Sequence, residues 1–101
     1  MKYGLPERTV EKMCAVFAKY SEVERAVLYG SRAKGNYRPG SDIDLTLLGA
    51  NLKRQLCATI DDELDDLLLP YSIDLSVFPE LKHPELEAHI ERVGKVLYRR
   101  E

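Results

Sequence analysis

Between Tyr29 and Leu45 the chain reads Tyr-Gly-Ser-Arg-Ala-Lys-Gly-Asn-Tyr-Arg-Pro-Gly-Ser-Asp-Ile-Asp-Leu, a run that few folds can accommodate. The segment before it, Val23 to Tyr29, is apolar with β-branched and aromatic residues and fits a strand that stops at Gly30-Ser31. A strand that ends in Gly-Ser and enters a short helix at Ser31 leaves backbone N–H groups at the turn, where phosphate oxygens can settle. Gly30 lets the backbone approach a ligand closely, and the Ser31 hydroxyl can donate to the same oxygens. Arg32 and Lys34 follow within a turn, so positive charge stands beside those donors and the whole reads as an anion seat.

Arg38-Pro39-Gly40-Ser41 has proline and glycine where a type II turn requires them, so the chain can reverse into a strand from Asp42 to Leu48. Side chains two apart on a strand share a face, which puts Asp42 and Asp44 on one side and Ile43, Leu45 and Leu47 on the other, in a core. Two carboxylates held side by side raise each other's pKa, a cost most simply offset by a divalent cation. Oxygen ligands in that number suit Mg²⁺ or Mn²⁺. In Ser72-Ile73-Asp74-Leu75-Ser76-Val77 a third aspartate alternates with apolar residues, so Asp74 and Ser76 face away from the core. Asp42, Asp44 and Asp74 on one side of one sheet would form a metal platform.

The remaining segments read as scaffold. Val10, Met13, Phe17 and Tyr20 mark one face of a helix from Glu7 to Tyr20, with Pro6 at its start. Gly49-Ala50-Asn51 closes the Asp42 strand, and Leu52, Leu56, Ile60, Leu64 and Leu67 or Leu68 predict a second long helix that frays near Asp65 to Leu69, ahead of Pro70. Its other face carries Asp61, Asp62, Glu63, Asp65 and Asp66, most simply a solvated surface. Pro79 interrupts the chain after the Asp74 strand, and Leu86, Ile90, Val93 and Leu97 predict a last helix from about Pro84 to Tyr98, with Arg99 and Arg100 at its C-terminal end. The two histidines, His83 and His89, receive no catalytic role. Cys14 and Cys57 read as buried free thiols, and the chain lacks the close Cys and His spacing of a zinc site.

This order of elements predicts an α/β or α+β domain spanning 1–101, with a small mixed sheet of about three strands flanked by helices. The strand and full helix between Asp42 and Asp74 permit two parallel, adjacent strands, with the first strand antiparallel to them. A net charge of −2 gives no general attraction for a polyanion, which disfavours nucleic acid as a partner. No run is long and apolar enough for a signal peptide or a membrane span, so the expected location is the cytoplasm.

Gly30-Ser31, ten intervening residues, Asp42-x-Asp44 and a later strand aspartate at Asp74 together resemble the nucleotidyltransferase superfamily typified by DNA polymerase beta. At 101 residues the chain looks most like the minimal nucleotidyltransferases, the MNT proteins. The resemblance implies a polymerase beta-like fold in which Gly30 and Ser31 hold the triphosphate of ATP and Asp42 and Asp44 bind the metal. Asp74 would complete the metal site and help take a proton from the acceptor. The resemblance further implies a helical HEPN toxin as partner, neutralised by transfer of AMP to a tyrosine. Two alternatives stand beside this: a non-catalytic antitoxin that masks its partner, and a small-molecule adenylyltransferase whose acceptor pocket needs a second subunit. Homo- and hetero-oligomers are both open.

Overall fold

The computed structural model describes residues 2–78 and 83–100, and the expected interruption at Pro79 lies outside them. The chain runs α1 (Glu7–Ala18), β1 (Arg25–Tyr29), α2 (Gly30–Lys34), β2 (Ile43–Leu48), α3 (Arg54–Asp65), β3 (Ile73–Val77), α4 (Pro84–Val93) and β4 (Lys95–Arg99). The strands form one mixed sheet in the order β3-β2-β1-β4. β1 is antiparallel to β2 and β4, and β2 is parallel to β3, as the length of the α3 crossover predicts.

The two faces of the sheet are covered unequally. Ala26, Leu28, Ile43, Leu45 and Leu47 point to the face taken by α1 and α3, where Met13, Phe17, Ile60 and Leu64 close the main core. Each of these side chains larger than Ala26 contributes about 1.5–3 kcal/mol when fully buried, so this layer supplies most of the apolar stabilisation. Leu67 packs against the same core, whereas Leu68 is exposed. On the opposite face α4 brings Ile90 and Leu86 onto Val27, Tyr29 and Leu48, a much smaller cluster. α4 lies over β1 and leaves that face open around Asp74, which is exposed, whereas Asp44 and Ser76 are half-buried and Thr46 is buried.

The carboxyl-terminal segment departs from its predicted form. The helix expected from Pro84 to Tyr98 ends at Val93, and Lys95–Arg99 is a fourth strand. Gly94 is the reason: a Cβ there would collide with Ile90 O and approach Val27 Cγ1 to 2.7 Å, so the chain passes tightly over β1 and turns into the sheet. Arg100 is likewise no helix-end cation. Its guanidinium donates to the carbonyls of Val23 (3.1 Å), Ala18 (3.2 Å) and Tyr20 (2.7 Å), fastening the turn between α1 and β1. The turn before β2 takes the expected shape, with Ser41 N donating to Arg38 O at 2.9 Å and Arg38 N to Ser41 Oγ at 2.8 Å. Both cysteines are free thiols.

Candidate functional site

The uncovered face of the sheet carries the aspartates. β2 and β3 pair with Asp44 opposite Asp74, and β1 pairs with β2 so that Tyr29 lies opposite Asp44. Residues opposite each other on neighbouring strands point to the same face, roughly 5 Å apart. Asp44 is half-buried and Asp74 is exposed. Burial is the main cause that holds the Asp44 carboxyl above its ordinary value, and the charges of Asp74 and Asp42 push the same way while His89 opposes them. Asp42 precedes the first residue of β2 and is exposed, yet its charge still reaches Asp44.

Gly30 adjoins this pair. Its φ of 74° lies in the left-handed region, and a Cβ there would collide with Asp44 Oδ2. The missing side chain therefore lets the carboxylate lie against the turn. The Gly30 amide donates to His89 Nε2 at 3.3 Å, and the His89 ring meets Tyr29 edge-on with centroids 6.3 Å apart. Tyr29 is buried beneath the site; desolvation raises its phenol pKa, a hydrogen-bonding contact with the Ser76 hydroxyl pulls it down, and Asp74 and Asp44 raise it again. Ser31 stands half-buried on the first turn of α2, and Lys34 is exposed on the last.

Arg32 does something other than line an anion seat. Only 2% exposed, its guanidinium donates through Nε and Nη2 to Ser41 O (3.1 and 2.8 Å) and through Nη1 to Tyr3 O (3.0 Å). It also stacks against Tyr37 and Tyr71, 5.2 and 5.1 Å from their centroids. Arg32 thus ties α2 to the loop that leads into Asp42.

Two residues of the site escaped sequence reasoning. His89 lies three residues after Leu86 and four before Val93, so it shares the stripe of α4 that faces the sheet; that periodicity was the available signal. Tyr29 directly precedes Gly30 and shares its strand face with Val27. His83, in contrast, has the structural role expected of it: its Nδ1 accepts from Leu86 N at 3.1 Å and caps α4.

Hard carboxylate oxygens are the right donors for Mg²⁺ or Mn²⁺, and Asp44 beside Asp74 carries repulsion that a cation would relieve. Among the described residues, however, no group of three His, Cys, Asp or Glu side chains is gathered closely enough to hold an ion unaided. The residues fit an ion that takes part of its coordination from substrate phosphates, as Mg²⁺ commonly does. No helix is long and apolar enough to cross a membrane among the described residues.

No curated protein matches the chain. Solved structures do. One chain of a toxin-antitoxin crystal structure with AMP-PNP aligns over 96% of this chain and 76% of its own, with a TM-score of 0.70 and 22% identity. A chain of the tri-AMPylated Shewanella oneidensis HEPN toxin in complex with MNT antitoxin aligns over 93% and 72%, with a TM-score of 0.69 and 19% identity. A chain of the MntA-HepT toxin-antitoxin aligns over 94% and 74%, with a TM-score of 0.69 and 18% identity. At such identities the likeness is one of fold. The sequence itself goes further, because residues 11–101 match the family model described as polymerase beta, nucleotidyltransferase. With its mixed sheet, its Gly-Ser turn and its strand aspartates, the chain belongs to the polymerase beta nucleotidyltransferase family.

Proposed function

We propose that the chain transfers AMP from ATP to a tyrosine hydroxyl of a HEPN partner and thereby acts as its antitoxin. The observation that carries the reading is the pairing of Asp44 with Asp74 beside a glycine that has no room for a side chain. Gly30, whose missing side chain lets the backbone approach closely, and the Ser31 hydroxyl would hold outer phosphate oxygens, with Lys34 the exposed cation of α2 beside them. Arg32, tied to Ser41 and Tyr3, would hold the loop in place and leave the phosphates alone. Asp42, Asp44 and Asp74 would hold Mg²⁺ or Mn²⁺, which supplies charge neutralisation on the transferring and leaving phosphates.

The acceptor hydroxyl attacks the α-phosphorus, a new oxygen–phosphorus bond forms, and the bond to pyrophosphate breaks. Asp74, the exposed member of the pair, can take the hydroxyl proton, while Asp44 is held by its half-buried position against Gly30. Catalysis then rests on positioning and electrostatics with no covalent enzyme intermediate. The structures of similar fold that contain a HEPN toxin, in one case AMPylated, support the choice of acceptor.

The test is to incubate the chain with the HEPN protein encoded beside it, Mg²⁺ and ATP labelled at the α-phosphate. Wild type should add one or more AMP masses to the partner, and Asp44→Asn should abolish the gain. Neutralisation of the partner by wild type and Asp44→Asn alike, with no label transferred, would leave only the masking reading.

A further inference from the structure

β3 is the outer strand of the sheet, and its free edge lies beside α3. Ile43 N donates to Ser72 O at 2.8 Å, so the alternation of a parallel ladder turns the N–H and C=O groups of Ile73, Leu75 and Val77 outward. No strand pairs with that edge among the described residues. Between the edge and α3 runs an open groove of about 300 Å³, lined by Arg54, Cys57, Ala58 and Asp61 from α3 and by Leu75 and Val77 from β3. A space at the lower end of ligand-cavity sizes suits side chains better than a whole nucleotide.

The groove is charged unevenly. α3 returns along β3, which brings its acidic half toward Asp74. Asp61 Oδ1 is buried there with no hydrogen-bond partner, the single such side-chain atom among the described residues. Burial is the main cause raising the Asp61 carboxyl above its ordinary value, and Asp65, Asp62 and Asp74 add to it. A buried carboxylate oxygen flanked by three like charges is a site that a cation would stabilise.

We propose that this groove docks an extended, basic segment of the acceptor protein, which adds to the open edge of β3 as a further strand and sets a lysine or arginine against Asp61. Main-chain hydrogen bonds to β3 supply affinity, and alternate side chains enter the groove or the solvent. A segment seated there passes the end of β3 that bears Asp74, so a hydroxyl on it is delivered to the transfer site. The identity of the bound segment as acceptor rests on the transferase reading, whereas the docking itself does not.

Two fluorescent peptides of the same length test it, Lys-Val-Lys-Tyr-Val-Lys and Glu-Val-Glu-Tyr-Val-Glu, titrated into the whole chain and followed by anisotropy. The basic peptide should bind roughly tenfold or more tightly than the acidic one, and Asp61→Asn should remove most of that advantage. Asp61→Lys should shift preference toward the acidic peptide, and N-methylation of alternate amides in the basic peptide should cost at least roughly tenfold by blocking strand addition. Asp61→Asn relieves repulsion, so its fold should survive, and circular dichroism checks this. Equal affinity for the two peptides, or undiminished basic-peptide binding in Asp61→Lys, overturns the proposal. Label from α-labelled ATP separates the two readings: a basic peptide that binds while neither it nor the HEPN protein gains AMP leaves the groove standing and removes the transferase, while labelling indifferent to peptide charge does the reverse.

Discussion

At Gly30 one absent methyl group sets the geometry of the site. Alanine would have to hold a φ of 74° and displace Asp44 Oδ2. The backbone strain alone is about 1–2 kcal/mol, and the carboxylate must move in addition. Gly30→Ala should therefore lower stability in urea by at least that much and lose nucleotide binding together with AMP transfer. A variant that binds ATP normally would remove Gly30 from the phosphate seat. Arg32 makes the opposite case, because its residue type suggested ligand binding and its neighbours assign it to the scaffold. Lysine cannot reproduce the paired donation to Ser41 O with a third bond to Tyr3 O, nor the stacking on two tyrosines. Arg32→Lys should destabilise the chain by about 2–4 kcal/mol, since it removes hydrogen bonds from a buried charged group. Unchanged urea unfolding with lost nucleotide affinity would restore Arg32 to the anion seat. Sequence could announce an arginine near a Gly-Ser turn, but the direction of its side chain depends on Tyr3 and Tyr71, which are remote along the chain.

Among the elements, those with an unambiguous period were legible and the one with two compatible periods was not. β3 alternates apolar and polar residues over its whole length and β2 does so from Ile43 to Leu47, and their parallel pairing followed from the length of α3. In the last segment Leu86, Ile90, Val93 and Leu97 fit a single helical stripe, and nothing in that spacing distinguishes a helix through Tyr98 from a helix that stops at Gly94. The decision is made by packing: β1 has a free edge, Lys95–Arg99 can fill it, and Gly94 permits the close pass over Val27. Gly94→Ala should thus cost about 1–3 kcal/mol through overpacking against Ile90 and Val27, measured as a lower urea midpoint. The site should report the same substitution, because α4 carries His89 to the Gly30 amide. A Gly94→Ala protein as stable as wild type would mean that β4 adjusts without strain. The spacing of α4 could place His89 on the apolar stripe but not give it a role, since a histidine there discloses its partner only once α4 is laid over β1.

For the whole molecule, Asp42, Asp44, Asp61 and Asp74 gather at one end of β2 and β3 even though the net charge is only −2. Asp44 and Asp61 both have carboxyls raised above the ordinary 3.8, chiefly by burial and then by neighbouring aspartates. A group whose folded pKa is raised binds its proton more tightly in the folded chain than in the unfolded one. Its stabilising effect is complete below the ordinary value and is lost as pH rises through the raised folded value. Glu63, lowered by its hydrogen bonds from Tyr20 and Lys19, acts in the reverse sense, but it is only partly buried and its contribution is screened by solvent. The two aspartates act in the same sense, so as pH falls through their raised folded values they should push the thermal midpoint upward. Divalent cation offers the folded chain the same relief by another route. Mg²⁺ at pH 7.5 should raise the midpoint, and the gain should shrink as pH falls and protons compete with the cation for the carboxyls. Asp44→Asn should abolish the Mg²⁺ effect and flatten the pH dependence in part, and Asp61→Asn should flatten the remainder while leaving the Mg²⁺ effect in place. A midpoint that falls steadily from pH 7.5 to pH 5 in wild type, or a Mg²⁺ gain undiminished in Asp44→Asn, would show that the repulsion at this end of the sheet is already satisfied by groups other than a proton or a metal ion.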